Sequence, residues 1–237
     1  MGLVDINVER RVNVKPIIFS TPMVQALLDG RKTQTRRVIK PQTGIVLDEN
    51  GERIETVPPC GFLHWQNKAP YKPGDILYVR EAWCDFKAID IESGIATYGY
   101  VYDASPEEHD YQALNNTEKH YGRKGIPWKP SIHMPKEAAR IFLRVTDVKV
   151  ERLQDITPED CRAEGITATA DMDFDNIRCS TLTEKYIINE TGTIDAESPW
   201  WKEWFSELWD SINAKRGYPW GNNPWVWVYT FERTEKP

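Results

Sequence analysis

The densest group of reactive side chains in this 237-residue chain lies at positions 30–37, in the run Gly-Arg-Lys-Thr-Gln-Thr-Arg-Arg. These eight residues carry two hydroxyls, one amine and three guanidinium groups. Such density suits an anionic or polar ligand, because fixed cations and backbone turns do most of the binding at sites of this kind. We group one distant acid, Glu164, with this run. The residue types leave open whether the site binds its ligand or also cleaves it.

Thr35 is a candidate nucleophile, and Lys32 is a candidate base three residues before it. A hydroxyl needs such a base at neutral pH, and a lysine is one only if its pKa falls from about 10.4 toward about 7–8. Burial and neighbouring arginines lower a lysine pKa, whereas Glu164 close by would raise it. In the alternative interpretation, Thr33 and Thr35 hydrogen-bond within the turn and Lys32 binds an anion as a simple cation. Both interpretations stay open.

Glu164 is either a solvated surface acid, as most glutamates are, or a proton carrier that points into a cleft. Arg36, Arg37 and Lys40 form a short basic run, and such runs usually lie on a solvated face. Within it, Arg37 is the candidate for binding a phosphate or a structural carboxylate.

A second group of candidates follows a predicted strand at 76–81. Arg80 and Glu81 are expected to form a salt bridge at the end of that strand. Trp83 either packs in the core, which we favour, or stacks on a base, a contact worth about 1–3 kcal/mol when it is made.

Local signals predict the elements that must position these groups. Thr21-Pro22 and Thr157-Pro158 each predict a helix start, with threonine as the cap and proline in the first turn. Gly30 is expected to end the first helix in a left-handed conformation, and Gly165 is expected to end the second helix. Residues 200–212 carry apolar side chains at helical spacing and predict an amphipathic helix.

Strands are predicted from apolar runs and alternation, at 16–19, 76–81, 96–102, 139–153 and 225–231. The regions 42–70, 87–127 and 167–197 are rich in polar and turn-forming residues and are interpreted as insertions in a single domain covering 1–237. The element order predicts an α+β fold, a small and mostly antiparallel β-barrel with flanking helices.

The composition limits the possible partners. A net charge of −6 argues against non-specific coating of long nucleic acids. The four cysteines are widely spaced and have no metal-binding pattern, so we expect no metal and no cofactor. No apolar run approaches the roughly 20 residues of a membrane helix, and we expect a cytoplasmic protein without a membrane partner. The oligomeric state is left open.

Three motifs in order resemble the ASCH domain of the PUA-like superfamily. They are G-x-K-T-x-T-x-R at 30–37, P-G-D at 73–75 and A-E-G at 163–165. The longer form, with a Trp-rich C-terminal region, resembles proteins of phages and prophages. The resemblance implies a curved β-barrel with a cleft that takes RNA or a modified nucleoside.

One bacterial branch of that family hydrolyses the acetyl amide of acetylcytidine. Carried over by motif position, the resemblance implies that Lys32, Thr35 and Glu164 are catalytic. The remaining candidate ligand-binding residues are Arg31, Thr33, Arg37, Arg80, Glu81 and Trp83. We therefore expect a hydrolase for an acylated pyrimidine nucleoside. The alternatives are a binding module for RNA or a modified base and, less favoured, a ribonuclease.

Overall fold

The computed structural model describes residues 14–42, 44–47, 53–56, 69–89, 96–104, 127–166 and 201–237. The elements, in chain order, are β1 (Val14–Ile18), α1 (Thr21–Leu28), β2 (Gln34–Val38), β3 (Gly44–Leu47), β4 (Arg53–Thr56), β5 (Ile76–Arg80), β6 (Trp83–Ile89), β7 (Ala96–Tyr102), β8 (Phe142–Arg152), α2 (Pro158–Ala163), α3 (Trp201–Asn213) and β9 (Trp225–Thr234). Short 3₁₀ turns also lie beside β8, α3 and β9. No helix in these ranges is both long and apolar enough to cross a bilayer.

The main sheet has five strands in the order β1-β5-β8-β9-β2. β1 runs parallel to β5, and the β5–β8 and β2–β9 pairs are antiparallel. Two separate antiparallel pairs, β3–β4 and β6–β7, complete the described strands. The fold is therefore α+β, as predicted. The described strands do not close into a barrel, because β1 and β2 are the two edges of the main sheet.

The chain divides into two compact units. Unit 1 comprises residues 1–21, 71–146 and 231–237, and unit 2 comprises 22–70 and 147–230. A core cluster in unit 1 includes Tyr78, Trp83, Met134 and Phe142. Its counterpart in unit 2 consists of Leu153, Ile156, Cys161, Phe205, Trp209, Val226 and Val228. That the chain is one domain with insertions stays a prediction, and the insertion at 167–197 lies outside the described residues.

The predicted helix start at Thr21-Pro22 is confirmed, since α1 begins at Thr21, and the signals of α2 are confirmed in detail. Thr157 caps α2 through a reciprocal capping box, in which its hydroxyl accepts from the Asp160 backbone and the Asp160 carboxylate accepts from the Thr157 backbone. Gly30 and Gly165 follow α1 and α2 with φ of +75° and +88°, the left-handed region that glycine enters without a Cβ penalty. α3 buries Trp204, Phe205 and Trp209, in agreement with the predicted amphipathic helix.

The strand predictions are close to five of the observed strands, whereas β2 and β6 were not predicted and β3 and β4 lie in the region 42–70 that was interpreted as an insertion. β1, β5, β7, β8 and β9 all lie where apolar patterns predicted them. β6 was missed, because its second half was included in the polar insertion at 87–127. It pairs with β7 along its whole length, from Trp83 opposite Tyr102 to Ile89 opposite Ala96. Tertiary pairing therefore decided the conformation of a segment whose own pattern was weak.

Candidate functional site

Main-chain hydrogen bonds hold the start of the basic motif, residues 30–37, against the end of α2. Both segments belong to unit 2. The amides of Arg31 and Lys32 both donate to the Ala26 carbonyl, which turns the chain sharply after α1. Lys32 and Glu164 then form an antiparallel bridge, and the Thr33 amide donates to the Ala163 carbonyl over 2.8 Å. The approach of residues 132 positions apart is therefore set by the backbone as well as by the side chains.

Gly165 makes this approach possible. A Cβ at Gly165 would lie 2.7 Å from the Cβ of Ala26 and 3.1 Å from the Cβ of Lys32. The same residue has a φ of +88°, so both its backbone conformation and its surroundings require glycine. The A-E-G motif therefore supplies an acid and, directly after it, the only residue type that fits against the lysine.

The Lys32 amine and the Glu164 carboxylate meet inside unit 2. Lys32 Nζ donates to Glu164 Oε2 over 2.7 Å and to the Glu164 carbonyl over 2.8 Å. The exposed fraction of the side chain is 0% for Lys32 and 6% for Glu164. Glu164 is therefore not the solvated surface acid of the alternative interpretation.

Arg36 is the second cation on Glu164. Its NH1 donates to Glu164 Oε1 over 3.2 Å and to Gln34 Oε1 over 2.7 Å. Its Nε and NH2 donate to Glu151 Oε1 over 3.0 and 2.6 Å, and NH2 lies 3.0 Å from Asp160 Oδ2. The Arg36 side chain is only 1% exposed. The prediction that this basic run is a solvated face is therefore wrong for Arg36.

Strand alternation separates the motif into two faces of β2. Successive side chains of a strand point to opposite faces. Arg36 contacts Gln34, two residues earlier, and Arg37 NH1 donates to the Thr35 hydroxyl over 2.7 Å. Thr35 itself is 1% exposed. Arg37 and Thr35 thus share one face, and Arg36, which touches Glu164, belongs to the other.

The two remaining candidates of the motif lie nearer the surface of unit 2. Arg31 is half-buried; its NH1 donates to the Gly165 carbonyl over 2.9 Å, and its NH2 lies 2.7 Å from Asp29 Oδ2. Thr33 is exposed, and its backbone amide rather than its hydroxyl ties it to α2.

Burial and neighbouring charges shift the pKa values of Lys32 and Arg36 in opposite directions. Burial lowers the pKa of Lys32 below its ordinary value, and it outweighs the opposing attraction and hydrogen bond of Glu164; Arg37 and Arg36 lower the pKa further. For Arg36, burial also acts to lower the pKa, but Glu164, Glu151 and Asp160 together raise it. Of the two opposing effects that the sequence left unresolved, burial is therefore the stronger, and the net result is a lowered pKa for Lys32.

A dependence of stability on pH follows from the lowered pKa of Lys32. Between the folded pKa and the unfolded value of 10.5, the unfolded chain holds a proton that the folded chain has released, so the free energy of unfolding rises with pH there. This contribution is lost as pH falls through the folded pKa. We expect urea unfolding of the wild type and Lys32→Met at pH 7, 8, 9 and 10 to show that the free energy of unfolding of the wild type increases with pH relative to that of the variant. A constant difference would contradict the pKa direction.

The other three candidates, Arg80, Glu81 and Trp83, lie in unit 1. Glu81 is 1% exposed and accepts from Arg140 Nε and NH2 over 3.0 and 2.9 Å, so the predicted Arg80–Glu81 salt bridge is wrong. Its pKa is raised by burial, against the opposing effect of Arg140. Arg80 instead donates to the Ile132 carbonyl over 3.2 Å.

Trp83 packs in the unit 1 core and is 6% exposed, which fits the core interpretation that the sequence favoured. Its ring meets Tyr100 edge-on at a centroid distance of 5.7 Å, and the Lys129 ammonium lies 4.8 Å from the ring centre.

Four contributors to the cluster were not among the candidates: Arg36 as its centre, Gln34, Glu151 and Asp160. The signal for Arg36 was its position two residues after Gln34 on a strand, which places both on one face. Asp160 was recognised only as part of the pattern that starts α2, and that pattern does not indicate which cation its carboxylate contacts. No local signal marks Glu151, because its role depends on β8 lying within reach of β2.

Comparison with known proteins gives no family assignment. No family model, curated protein or solved structure matches this chain.

Proposed function

We propose that this protein is a hydrolase that removes an acyl group from the exocyclic amine of a modified pyrimidine nucleoside, of the acetylcytidine type. One observation carries the proposal: the buried Lys32 amine lies 2.7 Å from Glu164 Oε2, and burial lowers its pKa. An amine with a lowered pKa beside a carboxylate can exchange a proton with it, and perturbed groups of this kind cluster at functional sites. The motif resemblance to the ASCH domain supports the same residues.

The proposed reaction adds water to the acyl carbon. Lys32 Nζ takes a proton from the water as its oxygen bonds to that carbon, and the bond from carbon to the exocyclic nitrogen then breaks. Glu164, hydrogen-bonded to the same amine, passes the proton to the leaving nitrogen, which becomes the free exocyclic amine. The acyl group leaves as a carboxylic acid that loses its remaining proton to solvent and becomes a carboxylate, so atoms and protons balance.

Because water is the nucleophile in this reaction, the proposed role of Thr35 is to position the water rather than to attack the acyl carbon itself. Its hydroxyl accepts from Arg37 and therefore still has its own proton to give. Arg31, Thr33 and Arg37 belong to the same motif and are the proposed ligand contacts. Arg80, Glu81 and Trp83 belong to unit 1, and we assign no step to them. A PUA-like architecture for the main sheet and a cytoplasmic location are part of the same proposal.

The test is release of carboxylate and free nucleoside from purified protein. N4-acetylcytidine, its propionyl and benzoyl analogues and an RNA oligonucleotide with one acetylcytidine form the panel, with products separated by chromatography. We expect turnover of at least one member above the uncatalysed rate. The absence of turnover across the panel, from protein shown to be folded, would reject the hydrolase.

The burial of Lys32 favours a second candidate, a binding module for a modified base. Its side chain is 0% exposed and its amine already makes two hydrogen bonds within the protein, the contacts of a structural cation. This candidate predicts binding of an acetylcytidine-containing oligonucleotide without product, with an affinity that falls as salt rises. The panel above distinguishes the two functions.

A further inference from the structure

We propose that Arg36 is a positioning residue that holds the Glu164 carboxylate for its exchange with Lys32. The proposal rests on the proposed hydrolase for its kinetic consequences, but the contacts that carry it are independent of any substrate. Arg36 lies within the basic motif, at a position that neither the residues nor the resemblance had marked as functional.

Both oxygens of Glu164 are taken by different cations. Oε2 accepts from Lys32 Nζ over 2.7 Å, and Oε1 accepts from Arg36 NH1 over 3.2 Å. A carboxylate on a flexible side chain has rotational freedom about its last bonds. With one oxygen held by Arg36, that freedom is removed and the other oxygen stays directed at the amine. Positioning of this kind favours catalysis because it removes reorganisation from the reaction step.

Arg36 is itself bound by two anchoring carboxylates, which restrict its guanidinium group to one orientation. Glu151 accepts from both Nε and NH2, and Asp160 lies 3.0 Å from NH2. NH1 donates to Gln34 as well as to Glu164. Only the planar fork of an arginine reaches four partners in this way, since a lysine offers one nitrogen. The anchors come from β8 and α2, so the position of Glu164 depends on elements outside the motif.

The charges around Glu164 determine what loss of Arg36 would do. Arg36 and Arg37 are the cations that act on Lys32, and Glu151 and Asp160 are the carboxylates besides Glu164 that act on Arg36. Cys161, beside them in α2, stays a neutral thiol because burial raises its pKa to about 12; Lys202 in α3 also acts on that thiol. Replacing Arg36 with an uncharged residue removes a cation near Lys32 and leaves Glu164 with its contact to Lys32 but not the one to Arg36. Both changes favour the charged amine.

The experiment uses Arg36→Lys and Arg36→Gln in the full chain, with Arg152→Gln as the matched control. Arg152 is in the same unit, and the partners described for it are the Asn223 carbonyl and the Trp225 ring rather than Glu164. The first readout is the pH titration of the ¹³Cε signal of Lys32, assigned by its loss in Lys32→Met. The midpoint is expected to move to higher pH in both Arg36 variants, more in Arg36→Gln, and to stay unchanged in the control.

The second readout is the split between kcat and KM on the best substrate of the panel. Arg36→Lys is expected to lower kcat by about 10- to 100-fold and to leave KM within about twofold, as for a group that orients a catalytic residue. Glu151→Gln, which loosens Arg36 at a side chain that is 23% exposed, is the variant to use if both Arg36 variants fail to fold, and a smaller fall in kcat is expected.

An unchanged Lys32 titration in folded Arg36→Gln would overturn the proposal, as would full kcat in Arg36→Lys. If neither Arg36 variant folds, full kcat in Glu151→Gln would overturn it. If the wild type has no turnover, the proposed function fails, but the titration of Lys32 still decides whether Arg36 acts on the pair. The two failures are therefore distinguishable.

Discussion

Lys32→Met is expected to lower the rate of deacylation by about 10²- to 10⁴-fold, the usual contribution of a general base. Methionine keeps the length and the apolar stem of the lysine and removes only the amine, so the buried site stays filled. Glu164 retains its contact with Arg36, so the substitution does not leave a buried carboxylate without a partner. The effect is therefore expected in kcat rather than in the fold. Steady-state kinetics on acetylcytidine provide the measurement.

Two variants make this prediction specific. Lys40→Met removes an amine from the same region, where Lys40 is exposed and lies 5.3 Å from the Tyr218 ring centre, and is expected to leave kcat unchanged. Lys32→Arg keeps the cation but supplies no base at neutral pH, because arginine stays protonated. It is expected to be as inactive as Lys32→Met. Substantial activity in Lys32→Arg would mean that Lys32 serves as a cation, in agreement with the binding interpretation.

Gly165→Ala is expected to lower the free energy of unfolding by about 2–5 kcal/mol, the largest stability change in this set. About 1–2 kcal/mol comes from a Cβ in the left-handed conformation at a φ of +88°. About 1–3 kcal/mol more comes from forced repacking, since the new Cβ would lie 2.7 Å from the Ala26 Cβ. Urea unfolding monitored by tryptophan fluorescence provides the measurement.

Gly30→Ala is the matched control for that prediction. Gly30 lies in the same unit and also has a positive φ, +75°, but a Cβ there would have nothing within 4 Å. It therefore isolates the backbone cost, about 1–2 kcal/mol. Equal losses in the two variants would show that the close approach of Gly165 to Ala26 and Lys32 does not limit stability.

Much of the local structure could be predicted from the sequence because its causes are local. The cap at Thr157, the left-handed Gly30 and the end of α2 at Gly165 depend on a few neighbouring residues, and all three were predicted. The long strand β8 followed from alternation over eleven residues. β6 was missed because half of it pairs with β7 through a segment without a clear period of its own.

The site was predictable only in part, for a similar reason. The motifs identified Lys32 and Glu164, and the structure brings them together. The burial of Arg36 was not predicted, because a run of basic residues is solvated unless other elements supply carboxylates. Here Glu151 and Asp160, more than 100 residues away in sequence, supply them. The pairing of Glu81 with Arg140 rather than Arg80 has the same origin, since it depends on a residue 59 positions later.

The backbone bridge between Lys32 and Glu164 has a consequence for how this chain can change over evolution. The amine and the acid are joined by their own main chains, so the length of the polypeptide that connects them along the sequence does not set their spacing. Closing a longer loop is inexpensive, about 0.6 kcal/mol for each doubling. Segments inserted between the two residues can therefore grow, shrink or acquire new roles while the geometry of the pair is inherited unchanged.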